Sequence, residues 1–179
     1  MMPAAYRPGS LLAKVRQDLA PLECEACDDT RALFLCEERG IWFLAEEQVE
    51  ARFLMHLVTT RFSYRVPCGG GGPARIGIRH RGVWKRAGIE CRADPGAEEV
   101  AQRLASDVAL TSSILPLDFT DFQLKRHESG WDASLVHYGA SEVVYQFPST
   151  RQYVRLSRAQ VKAILETFSR LNDLLGSGF

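Results

Sequence analysis

Two cysteines three positions apart, Cys24 and Cys27, have a spacing used by zinc sites and by thiol–disulfide catalysts. A structural zinc site needs two further ligands, and the sequence contains no second CxxC and no HxxxH pattern. A redox pair should open a helix, whose dipole lowers a thiol pKa, but here Asp28 and Asp29 follow. We therefore interpret the five cysteines as ordinary reduced thiols and predict neither a metal site nor a cofactor.

Four consecutive glycines, 69–72, lie between Cys68 and Pro73 and have the composition of a phosphate-binding loop. Such a loop leads directly into a helix and usually carries a lysine and a hydroxyl group. This one leads into a β-like segment, so we interpret it as a loop between strands. The histidines show no recognised catalytic spacing either, and we expect His137 to be a hydrogen-bonded core residue. The sequence therefore predicts no catalytic residue and favours a protein that is not an enzyme.

Residues 75–92 are basic, with six arginines and lysines against one glutamate, although the whole chain has a formal net charge of zero. With a two-residue turn at 81–82, this hairpin presents a basic aromatic face that can stack on a base or hold a phosphorylated ligand. The side chains of this face are Arg75, Arg79, Trp84, Arg86 and Arg92. Residues 18–50 are correspondingly acidic, so we favour the explanation that neighbouring strands of opposite charge pair across a sheet. We do not expect nucleic-acid binding.

The sequence predicts three helical regions. The clearest spans about 158–175, where apolar residues recur every three or four positions, and Ser157 with Gln160 forms a capping box before it. A central helix spans about 95–115, ending in a short helical segment, and an N-terminal helix spans about 10–20. Each of these helices is amphipathic, so each should lie against an apolar surface.

Between the helices the apolar residues alternate with polar ones, which predicts strands. Residues 49–66 are predicted as one long or broken strand, although 46–58 fits a helix almost as well. The predicted hairpins are 33–44, 75–92, 119–138 and 142–156. Because hairpin follows hairpin without strand–helix–strand alternation, we predict an α+β fold. In it, an antiparallel sheet packs against amphipathic helices within one domain, residues 1–179, and the long C-terminal helix crosses the sheet.

A sheet that curves around the C-terminal helix can enclose an apolar pocket, and apolar pockets are the usual sites of small molecules. We therefore predict a non-enzymatic domain that binds an apolar or amphipathic small ligand between the sheet and that helix. The predicted lining residues are Phe122, Leu124, Trp131, Leu135, Tyr145, Ile164 and Phe168. The alternative is that these side chains only fill the core.

The second hypothesis is a protein-interaction module or chaperone-like adaptor, with a homodimer as one candidate form. The order helix, strands, helix, strands, helix is similar to that of the small bacterial type III secretion chaperones. That resemblance implies a protein partner held as an extended segment. The resemblance is one of element order alone, and the additional hairpin at 75–92 and the neutral net charge depart from it.

The composition, 46% hydrophobic and 25% charged, is typical of a folded globular chain. No apolar run approaches the roughly 20 residues that span a bilayer, and the N-terminus lacks the core of a signal peptide. We therefore expect a cytoplasmic protein. Arginine outnumbers lysine by 18 to 4, a bias typical of GC-rich bacterial genomes.

Overall fold

The structure is a computed structural model that describes residues 6–69, 71–82 and 87–176. Within these ranges the chain forms four helices, nine strands and a 3₁₀ turn at Glu37–Arg39. The helices are α1 (Ser10–Asp18), α2 (Glu98–Ser106), α3 (Val108–Ile114) and α4 (Arg158–Gly176). The strands are β1 (Glu23–Asp28), β2 (Arg31–Cys36), β3 (Ile41–Arg52), β4 (Met55–Pro67), β5 (Ala74–Arg81), β6 (Gly88–Ala93), β7 (Phe119–His127), β8 (Gly130–Tyr145) and β9 (Thr150–Val154).

The described strands form one antiparallel sheet in the order β1-β2-β3-β4-β8-β7-β5-β6. Strand β8 lies at its centre: β4 pairs along one side, and β7 and then β9 pair along the other. The hairpins that follow the alternating residue pattern confirm the predicted α+β class. The antiparallel pairing also explains why no helix is needed between most neighbouring strands.

The sheet has one face covered by helices and one open face. Along β4 every second side chain from His56 to Val66 is buried, whereas the side chains between them are partly or fully exposed. Helices α1 and α4 contact β3, β4 and β8, while α2 and α3 contact β6. Burial of this apolar face against the helices supplies the main favourable free energy of folding.

Helix α4 begins and packs as the sequence predicts. The Ser157 N–H donates to Gln160 Oε1 (3.0 Å) and the Gln160 N–H donates to Ser157 Oγ (3.2 Å), so the capping box is confirmed. On the buried side of the helix, the Phe168 ring stacks on Tyr64 with 5.4 Å between ring centres. The Tyr64 hydroxyl donates to Asn172 Oδ1 (3.0 Å). These contacts confirm that the C-terminal helix crosses the sheet.

The start of α1 is held by Glu47, a buried carboxylate on β3. Its oxygens accept hydrogen bonds from the Tyr6 hydroxyl (2.6 Å), the Gly9 N–H (3.1 Å) and the Leu12 N–H (2.7 Å). The first N–H groups of a helix have no partner within the helix, and the helix dipole favours negative charge beside them. A side chain of the sheet therefore fixes where α1 begins.

Two further carboxylates attach α1 to β8 and to the region of β9. Lys14 donates to Glu142, which is fully buried on β8. Near the C-terminal end of the helix, Asp18 accepts from the Tyr153 hydroxyl (2.6 Å) and from the Leu156 N–H (2.9 Å). Because each carboxylate is paired, the cost of burying its charge is offset.

The central helix predicted at 95–115 is two shorter helices. The first begins at Glu98, and Asp107 separates it from the second. Asp107 Oδ1 accepts from the Leu110 N–H (2.7 Å), which caps α3. The same carboxylate receives two hydrogen bonds from Arg170 of α4, at 3.0 and 2.6 Å. Asp107, which lies between α2 and α3, therefore ties both helices to the C-terminal helix.

We expect Asp107→Asn to lower the free energy of unfolding by about 1 kcal/mol at about pH 7. Asparagine keeps the helix cap, so the change removes mainly the ion pair with Arg170. The Arg170 guanidinium holds the pKa of Asp107 below its ordinary value. The ion pair therefore stabilises the fold above about pH 4, and this stabilisation is lost as pH falls through the folded-state pKa.

Urea unfolding at about pH 7 and about pH 2 measures this effect. The difference between the wild type and Asp107→Asn should shrink at the lower pH. A difference of equal size at both pH values would contradict the ion-pair explanation. Glu99→Gln, which changes an exposed carboxylate of α2, serves as the control and should leave the unfolding free energy nearly unchanged.

The segment 49–66 is two strands rather than one. The chain reverses direction at Phe53 and Leu54, and Leu54 adopts a positive φ of 59°, as turn residues do. The question of strand or helix at 46–58 is thereby answered: these residues form the end of β3, the turn and the start of β4.

Two other details of the sheet differ from the prediction. In the β5–β6 hairpin Arg81 pairs with Gly88, so the two-residue turn predicted at 81–82 is wrong. The edge strand β1 is not predicted at all, because only one of its side chains is even partly buried and the polar and apolar residues do not alternate.

The charged segments do not pair with each other. Residues 23–52, which form β1 to β3, contain nine carboxylates and three arginines. Residues 74–93, which form β5 and β6, contain six basic residues and one glutamate. Strands β4, β8 and β7 separate the two segments in the sheet. The explanation that the acidic and basic strands pair with each other is therefore wrong. The sheet is acidic at its β1–β3 edge and basic at its β5–β6 edge.

Candidate functional site

A cleft of about 450 Å³ lies where the first turns of α4 meet the end of α1, β1 and the end of β2. Its large aliphatic lining residues are Leu19, Leu22, Leu35, Val161 and Leu165. Its charged lining residues, all exposed to solvent, are Glu23, Glu37, Glu38, Arg39, Arg158 and Lys162. The cleft thus combines an apolar floor with a charged rim, as small-molecule sites commonly do.

Helix α4 supplies one wall of the cleft through four residues of a single helix face. These are Arg158, Val161, Lys162 and Leu165, which follow the spacing i, i+3, i+4, i+7. The capping box at Ser157 sets where the helix begins and therefore which residues face the cleft. This face is not among the predicted sites, although its sequence signal is the two basic residues beside an apolar pair in the first turns of the helix.

The two walls of the cleft carry opposite net charges. Arg158 and Lys162 lie on the α4 wall, whereas the turn after β2 carries Glu37 and Glu38 together with Arg39 and is net negative. Glu166 of α4 lies 3.7 Å from Lys162 Nζ and 3.7 Å from an Arg39 guanidinium nitrogen. This carboxylate therefore links the β2–β3 turn to α4 at the side of the cleft.

The seven residues predicted to line a ligand pocket lie elsewhere. Six of them are buried in the hydrophobic core between the sheet and the helices: Phe122, Leu124, Trp131, Leu135, Ile164 and Phe168. Tyr145 is 38% exposed at the end of β8. None of the seven lines the cleft beside α4. The alternating pattern therefore identifies the core side of the sheet, and the cleft is built from other residues.

Tyr145 borders an apolar cluster at two adjacent turns. Phe53 and Leu54 in the first turn are 91% and 50% exposed, and Phe147 in the second turn is 84% exposed. The Gln146 N–H donates to the Leu54 carbonyl (2.9 Å), which holds the turns together. Clustered exposed apolar side chains are typical of surfaces that contact other molecules.

The predicted basic aromatic face is present in part. Arg75, Arg79 and Arg92 are exposed, and the strand register places them on the same face of the sheet. Trp84 and Arg86 lie outside the described residues. The Arg92 guanidinium forms an ion pair with Glu90 at 2.9 Å. The three described arginines therefore lie together on the open face, without a described aromatic partner from this set.

The cysteines and His137, which were also candidate site residues, occupy structural positions. All five cysteines are free thiols, and burial raises the pKa of Cys24, whereas a redox thiol needs a lowered one. His137 is fully buried and accepts a hydrogen bond from the Asp118 N–H (3.0 Å), so the predicted core histidine is confirmed. In the part of the chain that the structure describes, no three His, Cys, Asp or Glu side chains are placed to hold a metal ion. No described helix is both long and apolar enough to cross a membrane.

Comparison of the chain with the curated proteins found no significant match, and comparison with the solved structures found none either. The model of one protein family, described as "Protein of unknown function (DUF3156)", matches residues 17–175. This match includes the nine described strands, the helices α2 and α3, and nearly all of α4. It also includes every residue of the cleft. The chain therefore belongs to the DUF3156 family of proteins of unknown function.

Proposed function

We propose that this protein is a non-enzymatic binding domain for an amphipathic small molecule with an acidic head group, held in the cleft beside α4. The observation that carries the proposal is the combination of an apolar floor and a charged rim in one concave site. The cleft lies between the C-terminal helix and the β1–β2 edge of the sheet. Its residues differ from those predicted from the sequence.

The size and the floor of the cleft favour an apolar tail. A volume of about 450 Å³ falls within the roughly 300–1,000 Å³ of typical ligand pockets. Val161 and Leu35 are only partly buried, so they still have apolar surface to cover. Each methylene of a ligand that leaves water against such a surface contributes about 0.8 kcal/mol.

The rim favours an acidic head group on the α4 wall. Arg158 and Lys162 are exposed there, one helical turn apart, and they lie near the start of the helix, where the dipole favours negative charge. Glu37 and Glu38 on the opposite wall repel the same head group. A carboxylate or phosphate is therefore directed toward α4, with its tail against the floor.

Isothermal titration calorimetry with two amphiphiles of equal tail length tests the proposal. Dodecanoate, below its micelle-forming concentration, should bind at one saturable site, and dodecyltrimethylammonium should bind at least about tenfold more weakly. Val161→Glu places a carboxylate on the apolar floor and should weaken dodecanoate binding at least about tenfold. Reversing the wall with Arg158→Glu and Lys162→Glu should exchange the preference between the two amphiphiles.

The matched control is Val154→Glu, the same substitution at a position of β9 that is exposed and away from the cleft. It should leave dodecanoate binding unchanged. Equal binding of the two amphiphiles, or dodecanoate binding that survives Val161→Glu, would show that the cleft is not the site. Circular dichroism of each variant confirms that the fold is retained.

A further inference from the structure

Strands β5 and β7 separate near the basic edge of the sheet. They pair from Ala74 with Arg126 to Gly77 with Gln123, and β5 then continues to Arg81 without a further described register partner on β7. A groove of about 400 Å³ opens where they part, and its volume lies within the roughly 300–1,000 Å³ of small-molecule sites. None of its lining residues lines the cleft beside α4, so the sheet carries a second candidate site.

Gly77 forms the floor of this groove between two arginines. Arg75 and Arg79 lie two residues before and two residues after it on the same face of β5, and both side chains are exposed. A Cβ atom at position 77 would meet nothing within 4 Å, so the space above the glycine is open. The α carbons of residues four apart in a strand are roughly 13 Å apart, which leaves room for one tetrahedral oxyanion between the two guanidinium groups.

The two guanidinium groups are uncompensated positive charges. Among the described residues, neither Arg75 nor Arg79 has a carboxylate within ion-pair distance. Glu90, the register partner of Arg79, forms its ion pair with Arg92 instead, at 2.9 Å. Two more charged side chains lie beside Arg75 and have opposite signs: Asp94 and Lys125. An anion held between the two arginines therefore gains two cations that no described side chain neutralises.

The β7 wall of the groove offers hydrogen-bond acceptors and an aromatic ring. Asp121 Oδ1 accepts from Gln123 Nε2 (2.7 Å), and the other oxygen of each side chain has no donor among the described residues. The partly exposed Phe119 ring lies against His80, with 4.5 Å between ring centres. Hydroxyl groups can donate to the two oxygens, whereas Asp121 repels a second anion. This wall therefore favours a neutral, hydroxylated part of a ligand.

We propose that this groove binds a small phosphorylated polyol, such as a sugar phosphate. The phosphate lies above Gly77 between Arg75 and Arg79, and the hydroxyl groups donate to Asp121 and Gln123. Arginine suits this role because its planar, permanently charged group forms paired hydrogen bonds with phosphate oxygens. The separation of β5 from β7 supplies the depth that a continuous sheet face lacks.

Isothermal titration calorimetry at about 0.05 M salt, where charges are weakly screened, tests this site. The probes are glucose 6-phosphate, ribose 5-phosphate and glycerol 3-phosphate, each compared with its dephosphorylated form and with inorganic phosphate. At least one phosphorylated probe should bind at one saturable site with a Kd below about 1 mM. Its dephosphorylated form and inorganic phosphate should each bind at least about tenfold more weakly, because each lacks one half of the contacts.

Two variants remove the phosphate position in different ways. Gly77→Val fills the floor of the groove, and the strand accommodates it because valine favours strands and the space above position 77 is open. Arg75→Gln with Arg79→Gln removes both positive charges and keeps two polar side chains. Each variant should weaken binding of the phosphorylated probe at least about tenfold.

The matched controls change equivalent groups outside the groove. Ser63→Val adds bulk elsewhere on the open face, and Arg7→Gln with Arg16→Gln removes two exposed arginines. Both controls should bind the probe as the wild type does, and circular dichroism should show a retained fold in every variant.

Absence of binding by all three phosphorylated probes, or binding that survives either groove variant, would overturn the proposal. Tighter binding of a single-stranded oligonucleotide that is lost in the arginine variant would also overturn it, because the groove would then contact a nucleic-acid backbone. Dodecanoate binding should be unchanged in Gly77→Val, since the residue does not line the cleft beside α4. The two candidate sites are thereby tested separately.

Discussion

Replacing Phe168 by alanine should lower the free energy of unfolding by about 3–5 kcal/mol. The side chain is completely buried, stacks on Tyr64 and lies 5.9 Å from the ring of Phe43, measured between ring centres. Its removal leaves a cavity between α4 and the middle of the sheet, which neighbouring rings cannot fill without leaving their own contacts. Urea unfolding followed by circular dichroism measures the loss.

The matched control is Phe53→Ala, the same substitution at a turn position that is 91% exposed. Its effect on the free energy of unfolding should stay within about 0.5 kcal/mol. The comparison also distinguishes the two interpretations of Phe168, as a residue that fills the core or as one that lines a ligand pocket. A loss of less than about 1 kcal/mol in Phe168→Ala would mean that the side chain is not part of the packed core.

Glu47→Ala should destabilise the protein by about 2–4 kcal/mol, and the effect should be concentrated in α1. The substitution removes the acceptor of three hydrogen bonds from Tyr6, Gly9 and Leu12, and it leaves the first N–H groups of the helix without a partner. Hydrogen exchange measured by mass spectrometry should become faster in residues 10–18 of the variant than in the wild type. The change in α4 should be smaller.

The neighbouring residue provides the control for this prediction. Glu46 alternates with Glu47 along β3 and therefore lies on the open face of the sheet. Glu46→Ala should leave exchange in α1 unchanged. If α1 stayed protected in Glu47→Ala, the apolar contacts of Leu11 and Val15 would be sufficient to hold the helix without the carboxylate.

Periodicity and capping residues predicted most of the fold. The apolar stripe and capping box of α4 predicted its start at the correct residue, and the alternating pattern predicted the hairpin of β7 and β8. Both signals are local, and in both elements local preference and burial agree. The residues predicted to be apolar and inward-facing, such as Phe122 and Trp131, are indeed buried.

The missed features depend on contacts that the local sequence does not encode. The turn at Phe53–Leu54 contains neither glycine, proline nor asparagine, so nothing in its composition marked it as a turn. The strand order determines where the charges lie. The pairing of β4 with β8 places the acidic and the basic strands at opposite edges of the sheet. Alternation predicts that a segment is a strand but does not say which strand lies beside it.

The candidate site was harder to predict than the fold. The cleft is formed by three segments, residues 19–23, 35–39 and 158–165, which meet only after the sheet and α4 have assembled. The predicted lining residues were chosen for being apolar and inward-facing, and that criterion selects core residues first. Partly buried apolar residues beside charged ones, such as Val161 with Lys162, are the better sequence signal for such a site.

The central position of β8 has a consequence for how the protein is made. β4 pairs with a strand that begins more than sixty residues later, from Pro67 with Gly130 to Met55 with Tyr145. Among the described strands, the β5–β6 hairpin likewise joins the sheet only through β7. On the ribosome, the nascent chain therefore carries two incomplete sheets with unpaired edges until β7 and β8 have emerged. Such high contact order slows folding, and we expect the native sheet to form only after β7 and β8 have been synthesised.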